Sequence, residues 1–444
     1  MENNIDSAKI LREFGVIFDK KNNMSQFGGL APFLAFLEKG KFRKRFEAEF
    51  GYYQARTMMQ FILGLVCGAR SMVEMGNMGR DPMLKKYLGD PVEEAQLGRD
   101  VRSFDKQQIE ALHDLIVSIS ILDFAQKLKH EDLLIFDVDA TSVEKYGLQE
   151  GVEKGYVGTE LPESCYQYLL IRLHNRNTFL YGTIRSGSTH SQNDFCGYLR
   201  RFLPLLKKQW SSAFRADSGY FNYEAFDVFS ENDQTFFIKA PMYESRLSLA
   251  QVSPDLNWLP ADPNKLEVDF ASRKTLTPNG SHYREVFKRT WSNKDQLSLI
   301  KEYRYDCIAT NDMVREDHKV FEFYNGRANI ENNIKELKYD YRLGKIVTDS
   351  FDANDVITQF TLLTYLLVTH FKNECLPPKM SRFQLSTLRT HLVGVPGKLL
   401  TFARQEFTRI QNIFNDEAVY VFIFEKLRAL QSWVLEPPGL ANLA

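Results

Sequence analysis

Five cysteines in 444 residues (Cys67, Cys165, Cys196, Cys307 and Cys375) are too few and too scattered for a disulfide frame. None forms a C-x-x-C pair or sits beside a histidine cluster, so no zinc site is expected, and reduced thiols point to a cytoplasmic protein. Charge bias is also missing. The chain has 56 Lys and Arg against 57 Asp and Glu, a net charge of −1, which excludes a simple polycation but permits local basic surfaces. Long apolar runs are absent too: LLTYLLV near residue 365 falls far short of the ~20 residues that span a bilayer, so no membrane partner is expected. The opening MENNIDSAKILREFGV lacks a basic-then-apolar leader pattern.

What remains is a globular composition, 44% hydrophobic and 25% charged, long enough for two or three domains. Residues 1–125 read as helical, with apolar residues at helical spacing in YYQARTMMQFILGLVCGARSMVEM. KGKFRKRF places five basic residues there, either a solvated helix face or a phosphate contact. From 126 to 241, strand-like runs (DLLIFDVDATS, QYLLIRLHN, TFLYGTIRSG, SAFRADSGYF, QTFFIKA) alternate with helical segments, which indicates a mixed α/β sheet. Residues 242–304 break the pattern with short strand-like pieces, Pro and Gly, and read as a β-rich insertion. That stretch carries Trp258 and Trp291, and from 272 onward it holds eight basic residues against three acids. The α/β pattern resumes over 305–375, and 376–444 reads as a helical, basic C-terminal region.

The segment FEFYNGRANIENNIKELKYDY from Phe321 reads as one amphipathic helix. At ~100° per residue, Arg327, Glu331 and Lys338 fall within ~40° of one another and Tyr324 lies ~20° beyond them. Ile330, Ile334 and Leu337 form the adjoining apolar face. Ordinary surface pairing of Arg with Glu at i,i+4 produces the same stripe, so taken alone it decides nothing.

Two other segments point the same way. LLIFDVDATS delivers Asp137 and Asp139 to one face at the end of a buried strand, because side chains alternate with period two. AFRADSGYF ends a second strand at Asp217, with Gly219 permitting a sharp turn. Acids at the ends of buried strands are costly unless paired, although a turn or helix cap would also satisfy Asp217. Two strand-end acids and a third on a following helix suit Mg²⁺, with Mn²⁺ as the alternative, and two-metal phosphoryl transfer.

These residues carry a resemblance. Tyr324, Arg327, Glu331 and Lys338 reproduce the Y-R-E-K spacing of the DDE insertion-sequence transposases with an RNase H-like fold. DATS at 139, GTIRSGSTHSQNDFCGYLRRFL around 190, RADSGYF at 215, ATND at 309 and IENNIKELK at 330 resemble successive blocks of the insertion-sequence family numbered thirteen-eighty. GARSMVEMGNMGRDPMLKKYLG and LSTLRTHLVGVPGKLL are similar to its flanking regions, so the likeness runs from about residue 27 to 405.

The resemblance implies an RNase H-like mixed-sheet core, interrupted by the insertion and flanked by helical N- and C-terminal regions. It makes Asp139 the first catalytic and metal-holding acid (with Thr141 at the family spacing and Asp137 as the rival), Asp217 the second and Glu331 the third. Tyr324, Arg327 and Lys338 would bind DNA. Trp291 is the candidate to hold a flipped base, ahead of Trp258, although a core role explains either. The implied activity is metal-dependent cleavage of double-stranded DNA at inverted-repeat ends and 3′-OH transfer into target DNA. A homodimer would carry it out in the bacterial cytoplasm, associated with the nucleoid when bound. An RNase H-like nuclease that cuts without joining, and a domesticated DNA-binding protein that does not transpose, are the other readings.

Overall fold

The computed structural model describes residues 23–127, 133–157, 161–190, 192–207, 210–260, 268–292, 302–402, 405–411 and 417–430. They fall into two compact units, one built from Gly98–His370 and the other from the segments before and after it.

The larger unit is organised by a ten-stranded sheet. Its strands are β1 (Leu134–Glu144), β2 (Glu153–Gly155), β3 (Glu163–Leu173), β4 (Thr178–Ser186), β5 (Ser212–Ala216), β6 (Thr235–Ala240), β7 (Leu259–Pro260), β8 (Val268–Leu276), β9 (His282–Ser292) and β10 (Glu302–Thr310). The order is β2-β3-β1-β5-β6-β10-β9-β8-β7, with β4 also paired to β3. β1, β5 and β6 run parallel, and the remaining pairs are antiparallel. Parallel strands need cover on both faces, and the sequence supplies it. Phe136, Val138, Phe214 and Ala216 turn toward helices α1 (Lys106–Lys127), α2 (Phe195–Lys207) and α3 (Tyr223–Glu231), meeting Val117, Leu199, Phe202, Phe226 and Phe229. The alternate residues turn to the opposite face. There Ala213, Phe237 and Ile308 pack under Val320 and Phe321 of the helix after β10, α5 (Asp317–Asn325).

The stretch 242–304 does not form a body set apart from the sheet. Strands β8 and β9 join it through β10, and helix α4 (Glu244–Val252) closes a small core of Ala240, Ala250, Leu256, Ala271, Phe287 and Cys307.

The segment from Phe321 is not one helix. α5 ends at Asn325, a 3₁₀ turn covers Gly326–Ala328, and α6 (Asn329–Tyr339) follows, with right-handed helical backbone at the junctions. A Cβ at Gly326 would lie 2.3 Å from Arg215 Nη1, so a larger residue there would have to displace that guanidinium. Ile330, Ile334 and Leu337 of α6 are buried as their spacing requires. The following helix α7 (Phe351–Cys375) lies over the same face, with Asn354 bonded to Tyr166 and the Tyr365 ring against Phe179.

In the other unit, Phe42, Phe46 and Phe50 line the buried side of Phe42–Phe50, while Arg43 pairs with Glu47 and Arg45 with Glu49. Two of the five basic residues of that run are thus paired within the helix, and Lys39 donates to backbone carbonyls. The C-terminal region is not wholly helical: Gly397–Phe402 and Gln405–Ile410 form a hairpin that pairs with Met24–Ser25. Gly394, Pro396 and Gly397 stop the preceding helical segment, and the short alternating runs that follow suit an edge hairpin. All five cysteines are buried and none is in a disulfide, and among the described residues no single helix is long and apolar enough to cross a membrane.

Candidate active site

Asp137 and Asp139 share a face of β1, but the structure gives them different surroundings. Asp137 has no exposed surface. Its Oδ1 accepts from Arg215 Nε at 2.7 Å and its Oδ2 from Arg172 Nη1 at 3.0 Å, with His174 Nδ1 3.3 Å away. The register explains this enclosure, since Arg172 of β3 and Arg215 of β5 are its direct neighbours on either side. A carboxylate so fully bonded is a strut, with no oxygen turned to solvent.

Asp139 lies two residues on, in the middle of β1, which continues to Glu144. Val138 pairs with Ala216, the last parallel pair, so Asp139 and Asp217, the residue just past the end of β5, follow it on neighbouring chains ~4.8 Å apart at the backbone. Asp217 Oδ1 accepts from Gly219 N at 3.0 Å, capping the turn that lets the chain leave the sheet. Glu331 approaches from the first turn of α6 and is exposed. Asp139 is pushed up to about 6 by burial. Arg327 works against that shift, and the negative charges of Asp217 and Glu331 add to it. The three acids are therefore within electrostatic reach of one another. They do not form a preassembled cage, because among the described residues no three His, Cys, Asp or Glu side chains stand close enough together to hold an ion.

Arg327 takes that central place. Its Nη1 lies 3.3 Å from Asp139 Oδ2, and both side chains are about 85% buried. Burial opposes its charge, but Asp139, Tyr324 and Asp217 outweigh that and hold the guanidinium above its ordinary value. Tyr324 shares a hydrogen bond with Arg327, and burial raises its phenol. Arg327 thus pairs across elements with Asp139, not with Glu331 at i+4 as a solvated helix face would have it. Lys338, two turns further along α6, donates Nζ to Ser142 O at 2.7 Å. Its ammonium is held below its ordinary value by burial and by Lys345, with Asp139 opposing.

A sequence profile described as transposase DDE domain group 1 matches residues 38–432, most of the chain. The chain belongs to the DDE transposase family. Among solved structures, a piggyBac transposase synaptic complex with hairpin DNA is similar at 10% identity and a TM-score of 0.35, over 82% of this chain and 80% of that one. A likeness that remote adds nothing to the assignment. No curated protein matches at a significant level.

Two further features of this DDE transposase chain bear on DNA. Trp291 is 40% exposed on β9, across from Tyr303, on an element separate from those that carry the acids. Trp258 is half-buried against Tyr305, with the Arg289 guanidinium 4.5 Å over its ring and 4.8 Å over Tyr303. Sequence reading missed a cleft of about 780 Å³ beside Asp217, lined among others by Ser218, Tyr223, Tyr243, Arg246, Arg273 and Tyr283. Its residues come from five separate segments, so no local motif announces it. The Arg172–Asp137–Arg215 strut was missed for the same reason, although Arg215 stands inside RADSGYF.

Proposed function

We propose that the protein is a cut-and-paste DNA transposase of an insertion sequence, in the family numbered thirteen-eighty. It cleaves double-stranded DNA at inverted-repeat ends and joins the freed 3′-OH to target DNA. The observation that carries this reading is the placing of Asp139 and Asp217 side by side just past the last pair of two parallel strands, within electrostatic reach of Glu331, with Arg327 against Asp139. The order β4-β3-β1-β5-β6, antiparallel then parallel, supports an RNase H-like core. Synapsis of two ends calls for a homodimer.

The donor chemistry fits a divalent cation. The candidates are three carboxylates, hard oxygen donors of the kind Mg²⁺ or Mn²⁺ takes, with the Arg327 guanidinium against one of them, Asp139. Asp139, Asp217 and Glu331 would hold it. When bound, it supplies activation of the attacking oxygen and stabilisation of the leaving one. The chain's own part is positional. Asp137, clamped by Arg172 and Arg215, fixes the two strands in register. Arg327 compensates Asp139 until a DNA phosphate competes for its guanidinium, and a planar fork suits that exchange. Tyr324 steers the same guanidinium, and Lys338 takes a neighbouring phosphate. Trp291 stacks on an unpaired base, as an exposed aromatic can.

Duplexes carrying the element's own ends test this reading. Asp217→Asn should abolish strand cleavage and joining, by at least about 10³-fold for a lost metal-holding acid, while leaving end binding within a few-fold of wild type. Cutting at wild-type rate would remove Asp217 from the chemistry. Wild-type cleavage without joining would make the protein a nuclease.

A further inference from the structure

Strand β1 continues past Asp139 to Glu144, and Lys145 follows directly. Lys145 is only 7% exposed, its ammonium stands 5.5 Å from the centre of the Tyr166 ring, and its Nζ donates to the carbonyl of Gly344. Lys338 reaches the same strand from α6, donating to the carbonyl of Ser142. The residue after Gly344 is Lys345, which is exposed. Three ammonium groups thus converge where the end of β1 meets the loop after α6. Gly344 makes the approach possible: its φ is +66°, and a Cβ there would lie 2.8 Å from Tyr168 Oη, so the loop presses flat on β3.

The acceptors of the two buried lysines are neutral carbonyls. Among the described residues none of the three lysines forms an ion pair. Glu144, half-buried, faces the charge of Lys345, and Asp139 favours the ammonium of Lys338. Burial and the like charge of Lys345 both work against the ammonium groups of Lys145 and Lys338. Setting a buried and a half-buried ammonium beside a third, on carbonyl hydrogen bonds and without a direct ion pair, carries a cost. An arriving anion would relieve it.

We infer that Lys145, Lys338 and Lys345 form a phosphate-binding track that continues along β1 from the carboxylates and takes the DNA backbone flanking the reacting bond. The inference rests on the function proposed above and adds Lys145 and Lys345 to it. Because a strand rises ~3.3 Å per residue, Ser142 lies ~10 Å and Lys145 ~20 Å beyond Asp139. The contacts therefore fall on one side of the cut, a few nucleotides away. Lysine serves as a point charge that tolerates variable phosphate orientation.

The test measures binding of an end-containing duplex against salt concentration. It uses wild type, Lys345→Gln, Lys145→Gln and Arg327→Ala, with duplexes that carry a single neutral methylphosphonate linkage at successive positions. Lys345 is exposed, so its substitution leaves folding intact, and Gln at 145 keeps a donor for Gly344. Lys345→Gln should lower the salt slope by about one unit and cancel the penalty of a methylphosphonate at one position beside the cut. An unchanged slope in both lysine variants, with a reduced slope in Arg327→Ala, overturns the track and leaves the active-site reading intact. No change in any variant overturns both. If inorganic phosphate at matched ionic strength stabilises wild type but not Lys345→Gln while the DNA slopes agree, the lysines hold a free anion and the track is wrong.

Discussion

At the scale of single residues, Asp139 carries a cost that can be measured. Its carboxyl is raised from an ordinary 3.8 to about 6, chiefly by burial. Between those values the native chain holds a proton that the unfolded chain has released. Stability therefore falls as pH rises through that window, and the full cost stands above pH ~6. Without divalent ions, Asp139→Asn should stabilise the protein by about 1–3 kcal/mol above pH ~6, with the gain gone below pH ~4. Thermal unfolding across that range reads it directly. An equal or lower melting temperature at neutral pH would mean that Arg327 compensates the carboxylate completely. The sequence could place Asp137 and Asp139 on one face but could not tell strut from site. What separates them is Arg215, 78 positions from Asp137 in the chain, and Arg172, which becomes its neighbour only once the sheet has formed.

At the scale of elements, Tyr324 and Arg327 stand at the end of α5 and in the 3₁₀ turn that joins it to α6. Gly326→Ala would drive a methyl group into Arg215 and loosen its bond to Asp137. The expected loss is about 1–3 kcal/mol, of the order seen for overpacking, with reduced cleavage. A denaturant midpoint equal to wild type would show that the guanidinium yields freely. The strand end before Asp217 was legible because a short apolar run terminates there, whereas β1 runs on past Asp139 to Glu144 through less apolar residues paired with β3. The 3₁₀ turn was not legible, because the backbone stays right-handed helical through it and the contact of Gly326 with Arg215 joins residues far apart in the chain. The C-terminal hairpin was hidden in the same way. Its strands are six residues each, and their partner, Met24–Ser25, lies at the far end of the chain.

At the scale of the molecule, a net charge of −1 gives no long-range pull toward DNA, so binding must come from local clusters. End binding by wild type should fall with log salt concentration at a slope steeper than about −3, reflecting Arg327, Lys338 and their basic neighbours. A slope near zero would mean recognition without phosphate contact. Mixed α/β organisation and the family could both be read from the sequence, because alternating strand and helix runs and ordered motif blocks are local signals. The continuity of the sheet from β3 to β9 is a long-range property and could not. The three acids, moreover, are delivered by β1, the turn after β5 and the start of α6, in that order along the chain. A growing polypeptide still tethered to the ribosome therefore owns two of the carboxylates long before the third emerges together with Arg327. On the proposed roles, an unfinished or prematurely terminated chain should be born unable to cut DNA.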